Sequence, residues 1–135
     1  MRMTLIATPV TVQIVLSEQA RMPEYKSAGA AGLDLCSAED VSLERFERRL
    51  VPTGVKVAIP PGFEGQVRPR SGLAREHGIG MVNSPGTIDS DYRGEIMVLL
   101  VNLGDRNVRL SRGERIAQLV IAPVARADVR IVERL

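Results

Sequence analysis

Short apolar or alternating runs, separated by Gly, Pro, Asn and Asp, recur along the whole chain. In residues 10–16 every second side chain is apolar, which predicts a strand with one buried face. Residues 55–59 alternate in the same way up to a Pro-Pro-Gly turn, and residues 64–68 resume the strand pattern after it. This succession of short strands and turns predicts an all-β domain, either a sandwich or a barrel.

Two runs are continuously apolar, residues 96–101 and residues 116–121 apart from one glutamine. A strand without alternation is expected to be buried on both faces. For residues 96–101 we expect a subunit interface, with an ordinary central strand as the alternative, because periodicity does not separate the two.

Only residues 71–78 have a helical pattern, about two turns with Ser71 as N-cap and Gly78 as the stop. The chain shows no internal repeat and no linker. Its 135 residues therefore predict a single domain, residues 1–135.

Composition narrows the class of protein. Apolar residues are 44% of the chain and charged ones 25%, as in soluble globular proteins. The net charge of +2 gives no reason to expect a nucleic-acid partner. No stretch approaches transmembrane length, and proline and polar residues interrupt residues 1–9 before a secretory leader can form, so we expect no membrane partner.

The cysteine and histidine counts exclude two further features. Cys36 is the only cysteine, which rules out an intramolecular disulfide and favours a reducing, cytoplasmic location. With His77 as the only histidine, a Cys/His zinc site within one chain is also excluded.

Residues 83–96 hold the densest chemistry: two close carboxylates, a cation, two glycines and a tyrosine between apolar runs. In an extended segment Asp89 and Asp91 point to the same face, where they could meet one metal ion or one water. Turn chemistry explains the same residues equally well, because Asp and Gly are common at strand junctions.

Three further segments stand in order with this one, residues 28–35, 68–74 and 112–119. With these segments the chain resembles the homotrimeric deoxyuridine triphosphatases, also called dUTP diphosphatases. Four of that family's five motifs are matched between residues 28 and 119. The resemblance implies a jelly-roll-like β-barrel of the β-clip type, assembled as a homotrimer with active sites between subunits.

The fifth motif, a glycine-rich C-terminal segment with an arginine and a phenylalanine, is not found in these 135 residues. In the family this segment covers the substrate as a lid. A protein without it is expected to bind dUTP but to hydrolyse it slowly, because a lid excludes water and positions the triphosphate.

The activity that the resemblance implies is Mg²⁺-assisted hydrolysis of dUTP to dUMP and pyrophosphate, which limits uracil incorporation into DNA and supplies dUMP. Asp89 would be the base that activates a water for attack on the α-phosphate, and it would also hold the 3′-hydroxyl. Tyr92 would lie under the deoxyribose and leave no space for a 2′-hydroxyl. Asp34 would contact magnesium through bound water, with an ordinary strand-end residue as its alternative.

The remaining substrate contacts form two groups by resemblance. Arg70, Ser71 and Gly72 would cradle the phosphates, and Gln118 would orient water or phosphate. The uracil pocket would be formed by Asn83, Gly86, Thr87, Ile88 and Met97. Main-chain donors and acceptors there would leave buried groups unpaired against cytosine, which is a costly mismatch.

Two further groupings of polar residues are not expected to take part in catalysis. Asp91 and Glu95 are expected to pair with arginines such as Arg93. A Ser71/His77 nucleophilic pair is disfavoured because no Gly-x-Ser-x-Gly turn is present.

Two rival functions stay open. A dCTP deaminase shares the fold, but that family carries a glutamate where this chain has Leu99, so deamination would lack its proton shuttle. A non-catalytic nucleotide-binding regulatory trimer is supported by the unmatched fifth motif. The intact Asp89 and Tyr92 favour the diphosphatase over both.

Overall fold

The structure is a computed structural model that describes residues 9–135. Residues 1–8, which carry most of the expectation about a secretory leader, lie outside the described residues. The described chain contains ten strands and one short helix. In chain order these are β1 Gln13–Leu16, β2 Leu33–Cys36, β3 Val41–Leu43, β4 Arg48–Ala58, β5 Phe63–Pro69, α1 Ser71–His77, β6 Ile79–Met81, β7 Gly86–Ile88, β8 Glu95–Asn102, β9 Val108–Leu110 and β10 Arg115–Pro123.

The strands form two four-stranded antiparallel sheets and one two-stranded ribbon. The first sheet has the order β1-β4-β8-β6, the second has the order β2-β10-β5-β7, and β3 pairs with β9. Branched aliphatic side chains from both large sheets form one core, among them Val51, Ile96, Leu100, Val67 and Leu119. The all-β prediction is therefore confirmed.

Strand β8 differs from the expectation of burial on both faces. Ile96, Val98 and Leu100 are at most 1% exposed, whereas Met97 and Leu99 on the opposite face are only partly buried. The strand is central in its sheet, between β4 and β6. A single protomer thus buries one face of β8 and leaves the other face apolar and partly open.

Strand β10 agrees with the expectation. Ala117 and Val120 lie on opposite faces of the strand, and they are 0% and 9% exposed. This strand lies between β2 and β5. A central position with cover on both sides explains its continuous apolar sequence.

Two other strands have different limits from those that the pattern suggests. Strand β1 begins at Gln13, and Val10 before it is 36% exposed. Strand β4 extends the alternating run backwards to Arg48, with a register shift between Pro52 and Lys56. Gly54 lies in this irregular stretch with a φ of +70°. It interrupts the alternating pattern, and for this reason the sequence does not indicate that residues 48–58 form one strand.

Helix α1 ends as predicted but begins differently. Gly78 closes it in the left-handed conformation with a φ of 69°, and its N–H bonds to the Ala74 carbonyl. The N-cap is Arg70, whose backbone is extended, and no side chain caps the helix. The assignment of Ser71 as N-cap is wrong, because Ser71 already belongs to the first turn.

Within the described residues, this seven-residue helix is far too short to cross a membrane.

Candidate functional site

A cleft of about 250 Å³ lies beside β7, an edge strand of the second sheet. We call it the β7 cleft. Its lining combines small and apolar residues with one carboxylate and one phenol: Val67, Met81, Asn83, Gly86, Thr87, Ile88, Asp89, Tyr92 and Met97. The cleft brings together all seven residues that the sequence suggested for base and sugar. Val67 and Met81 are additions, and sequence reasoning missed them because a buried aliphatic carries no sign of a site.

Pairing between β5 and β7 positions the floor of this cleft. Val67 lies opposite Gly86, and Gln66 lies opposite Thr87. A Cβ at Gly86 would lie 3.3 Å from Nδ2 of Asn83 and 3.5 Å from Cβ of Val67. Glycine at this position therefore lets the Asn83 amide approach the backbone of β7 closely.

Asp89 stands at the rim of the cleft, immediately after β7 ends at Ile88. The chain turns here, because the Tyr92 N–H donates to the Asp89 carbonyl at 3.1 Å. Asp89 and Asp91 are therefore not neighbours on an extended strand, and the argument for a metal ion shared between them is wrong. Instead, Asp91 lines a separate cavity of about 290 Å³, which Asp89 also borders.

Tyr92 is fixed by its neighbours although the residue is 42% exposed. Its hydroxyl donates to the Glu95 carbonyl at 2.8 Å. A Cβ at Gly94 would lie 2.5 Å from the Tyr92 hydroxyl oxygen, so the ring occupies the space that a side chain at residue 94 would need. These contacts hold the ring at the cleft edge.

The expected ion pairs around Arg93 are not formed among the described residues. Arg93 donates instead to the main-chain carbonyls of Ser90, at 2.7 Å, and Tyr92, at 3.0 Å. The expectation that Asp91 and Glu95 pair with Arg93 is therefore wrong. The Arg93 side chain thus stabilises the turn by donating hydrogen bonds to these two carbonyl oxygens.

A second cleft, of about 170 Å³, lies near β2 at the other edge of the same sheet. We call it the β2 cleft. Its lining is polar and mostly cationic or small: Lys26, Ala30, Gly32, Asp34, Arg70, Ser71, Gly72, Arg115 and Gln118. It joins the four residues suggested for phosphates to the one suggested for magnesium. Lys26 and Arg115 were missed, although Arg115 lies inside the fourth matched segment.

The β2 cleft is built from paired strands and one glycine contact. Gln118 on β10 lies opposite Asp34 on β2 and Arg68 on β5, so the three side chains point to one face. A Cβ at Gly32 would lie 2.6 Å from the Gln118 side-chain oxygen. Because residue 32 is glycine, the Gln118 amide has room to lie in the cleft.

Charged contacts complete the β2 cleft. A guanidinium nitrogen of Arg115 lies 3.4 Å from Oδ2 of Asp34, whose side chain is only 15% exposed. The Arg70 guanidinium donates to the Arg115 carbonyl at 3.1 Å. Residues 9–135 contain no group of three or more His, Cys, Asp or Glu that could hold a metal ion. A cation bound here would therefore need further ligands beside Asp34.

A larger polar cavity of about 490 Å³ adjoins the β2 cleft and shares Lys26, Asp34, Arg70 and Arg115 with it. Cys36 also lines this cavity. Burial raises the pKa of the Cys36 thiol, against the opposing effect of the nearby Arg21 guanidinium. A raised pKa keeps the thiol protonated at neutral pH, so it is a poor nucleophile.

The Ser71/His77 pair is not formed. The two residues stand at opposite ends of α1, about 9 Å apart along the axis at a rise of 1.5 Å per residue. Nε2 of His77 instead lies 3.9 Å from Oε2 of Glu76. Helix α1 therefore contributes only its first turn to the β2 cleft.

The β7 and β2 clefts share no lining residue. They belong to opposite edges of the sheet, and β10 and β5 lie between them. Three strand spacings separate β2 from β7, about 14 Å. Within one protomer, the residues suggested for the base and those suggested for the phosphates therefore form two separate half-sites.

The fold and the two clefts define an antiparallel, jelly-roll-like ligand-binding domain. More particularly, the chain belongs to the dUTPase family, whose family model matches residues 18–135. It is 60% identical over 131 residues to a deoxyuridine 5′-triphosphate nucleotidohydrolase from Anaeromyxobacter sp., an alignment that covers 94% of this chain and 89% of the relative.

Solved structures agree with this assignment. A dUTPase variant from Staphylococcus bacteriophage 80alpha, determined with dUpNHpp, is 31% identical with a TM-score of 0.87, covering 93% of this chain and 89% of that chain. A dUTPase variant from phage phi11 of S. aureus, described with a structural Mg(II) ion, is 30% identical with a TM-score of 0.85, covering 92% and 97%. These likenesses confirm the jelly-roll-like fold.

The Tyr92 environment yields a structural prediction. Gly94→Ala should displace the Tyr92 ring and break its hydrogen bond to Glu95, because the new methyl group and the ring cannot share that space. A crystal structure of the variant checks this. Gly29→Ala is the matched control, since nothing lies within 4 Å of a Cβ at that position. An unmoved ring in Gly94→Ala would contradict the account.

Proposed function

We propose that this chain hydrolyses dUTP to dUMP and pyrophosphate, with Asp89 activating the water that attacks the α-phosphate. The observation that carries the proposal is the β7 cleft. In a protein of the dUTPase family, it unites Asp89 and Tyr92 with the five residues suggested for uracil. The reaction would limit uracil incorporation into DNA and supply dUMP. The lone cysteine supports a cytoplasmic location for it.

Recognition of uracil is supported by the form of the β7 cleft. Gly86 and Thr87 present main-chain groups at an edge strand, and the Asn83 amide lies close beside Gly86. Groups held by strand pairing are fixed in direction, so they can oppose the donors and acceptors of one base. Cytosine would leave some of them unpaired in a confined space, which costs more than a weak contact gains.

Tyr92 and Asp89 would act on the sugar and the reacting water. The ring, fixed through Glu95 and Gly94, offers a flat wall that excludes a 2′-hydroxyl by contact. Asp89 is exposed at the rim, where its carboxylate can reach both the 3′-hydroxyl and a water. A carboxylate base needs only to be ionised and within hydrogen-bond reach of that water.

The β2 cleft would hold the triphosphate. Lys26, Arg70 and Arg115 bring cations to it, and Ser71 and Gln118 add neutral donors. Its single carboxylate, Asp34, fits a magnesium ion that takes its ligands from phosphates and waters, because such an ion needs no cage of protein carboxylates. When bound, Mg²⁺ would neutralise charge that develops on the phosphates.

We also propose that the protein is a homotrimer with each site shared between subunits. A triphosphate substrate needs both half-sites, which one protomer keeps apart. The outer face of the β8 sheet offers an interface: Leu99 is partly buried, and Leu50 and Val82 beside it are each 54% exposed. Apolar patches of this kind mark association surfaces.

The rival functions have less support. Leu99 lies on the outer face of β8 and offers no proton shuttle for a dCTP deaminase. A regulatory trimer that only binds nucleotide does not need a carboxylate beside the reacting phosphate, yet Asp89 stands at the cleft rim.

Product analysis tests the reaction directly. With Mg²⁺ present, dUTP should give dUMP and pyrophosphate, while dCTP, dTTP and UTP should react much more slowly. The measurement is chromatography of the products from the four nucleotides in parallel. Orthophosphate as the product, or equal rates with dCTP, would be incompatible with the proposal.

Asp89→Asn should lower kcat by at least ~10²-fold, the lower range for the loss of a general base, while dUpNHpp still binds. Steady-state kinetics and calorimetry separate the two effects. Asp91→Asn is the matched control, since it removes a neighbouring carboxylate that does not line the β7 cleft. Equal kcat values for wild type and Asp89→Asn would remove Asp89 from the mechanism.

The assembly has its own test. Light scattering should give three times the chain mass of 14.7 kDa. Leu99→Glu should shift the protein towards monomers because it places a charge on the outer face of β8, whereas Ser42→Glu, on an exposed position of β3, should not. A fully active monomer would contradict shared sites.

A further inference from the structure

We propose that Arg115 is a positioning residue that aligns the two charged sides of the β2 cleft, an inference that rests on the proposed function. Its guanidinium holds the Asp34 carboxylate at 3.4 Å. Its main-chain carbonyl accepts a hydrogen bond from the Arg70 guanidinium at 3.1 Å. Arg115 thus positions both Asp34, the carboxylate suggested for magnesium, and Arg70, the cation suggested for phosphate.

The burial of its carboxylate distinguishes this ion pair from the others in the described chain, although the Arg115 side chain itself is 46% exposed. Asp34 is 15% exposed, whereas the carboxylates of the other five pairs are 63–84% exposed. Solvent-exposed pairs contribute little, because water and salt screen them. A largely buried carboxylate depends much more on its partner, and removing that partner leaves its charge less well compensated. Arg115 is therefore placed to control the orientation of Asp34.

A β-bulge directs Arg115 into the cleft. The pairing of β10 with β2 shifts by one residue between Arg115, opposite Cys36, and Ala117, opposite Leu35. In a regular strand, residues 116 and 118 would share a face. Here Ile116 is only 1% exposed and lies in the core, while Arg115 and Gln118 both line the cleft. Bulges commonly re-aim a side chain in this way.

The two contacts of Arg115 can be separated experimentally. Arg115→Met keeps the main-chain carbonyl, and with it the hydrogen bond from Arg70, but it removes the cation beside Asp34. Arg115→Lys restores the cation without the planar guanidinium, so it should recover only part of the function. Arg109→Met is the matched control, because Arg109 pairs with an exposed aspartate, Asp40, outside both clefts.

The experiment is a titration of each variant with Mn²⁺, detected by electron paramagnetic resonance, in the presence of dUpNHpp. Arg115→Met should weaken Mn²⁺ binding about 10- to 100-fold, the usual effect of losing a group that orients a metal-facing residue. Arg115→Lys should lie between Met and wild type, and Arg109→Met should match wild type. Thermal unfolding and light scattering verify that each variant is folded and assembled.

A double-mutant cycle shows whether Arg115 acts through Asp34. In an Asp34→Asn background, Arg115→Met should have little further effect on Mn²⁺ binding, because the group that it positions is already uncharged. Equal weakening in both backgrounds, or no weakening in either, overturns the inference. If wild type binds dUpNHpp and Mn²⁺ normally, such a result concerns Arg115 alone. A wild type that fails to bind them overturns the proposed function and this inference together.

Discussion

Strand β5 pairs with β10 on one side and with β7 on the other, and these two registers position residues of both clefts. The first register aligns Arg68 with Gln118, which is itself aligned with Asp34. The second places Gly86 opposite Val67. A slip of one residue in either would turn cleft side chains into the core. The large aliphatic core fixes these registers, because only one alternation buries its side chains.

The all-β fold was predicted correctly, several strand limits were not, and the residues grouped by the family resemblance lie together in two clefts. The four matched segments contain most of the polar lining, because the family resemblance selects these residues although they are far apart in sequence. Arg115 and Lys26 were missed because their role depends on partners that only the fold brings near. The outer face of β8 was expected to be buried, because an apolar residue such as Leu99 looks the same in sequence whether its own chain or another one covers it. Ser71 resembled a cap, but the extended residue is Arg70.

The separation of the clefts is the feature with the greatest consequence for function. Under the proposed function the base would bind in the β7 cleft and the phosphates in the β2 cleft, which two intervening strands hold apart within one protomer. Assembly would then be part of the chemistry and would also cover the apolar outer face of β8. In a symmetric trimer each interface repeats, so three equivalent sites follow from one contact.

Subunit complementation tests this central claim most directly. Asp89→Asn and Arg70→Gln chains, each nearly inactive alone, are unfolded together and reassembled into mixed trimers. If each site takes Asp89 from one chain and Arg70 from another, about a quarter of the sites in a random equal mixture carry both intact groups, and activity returns to that extent. If both groups of a site come from the same chain, no mixed trimer has an intact site. Verified mixed trimers without recovered activity would contradict the account.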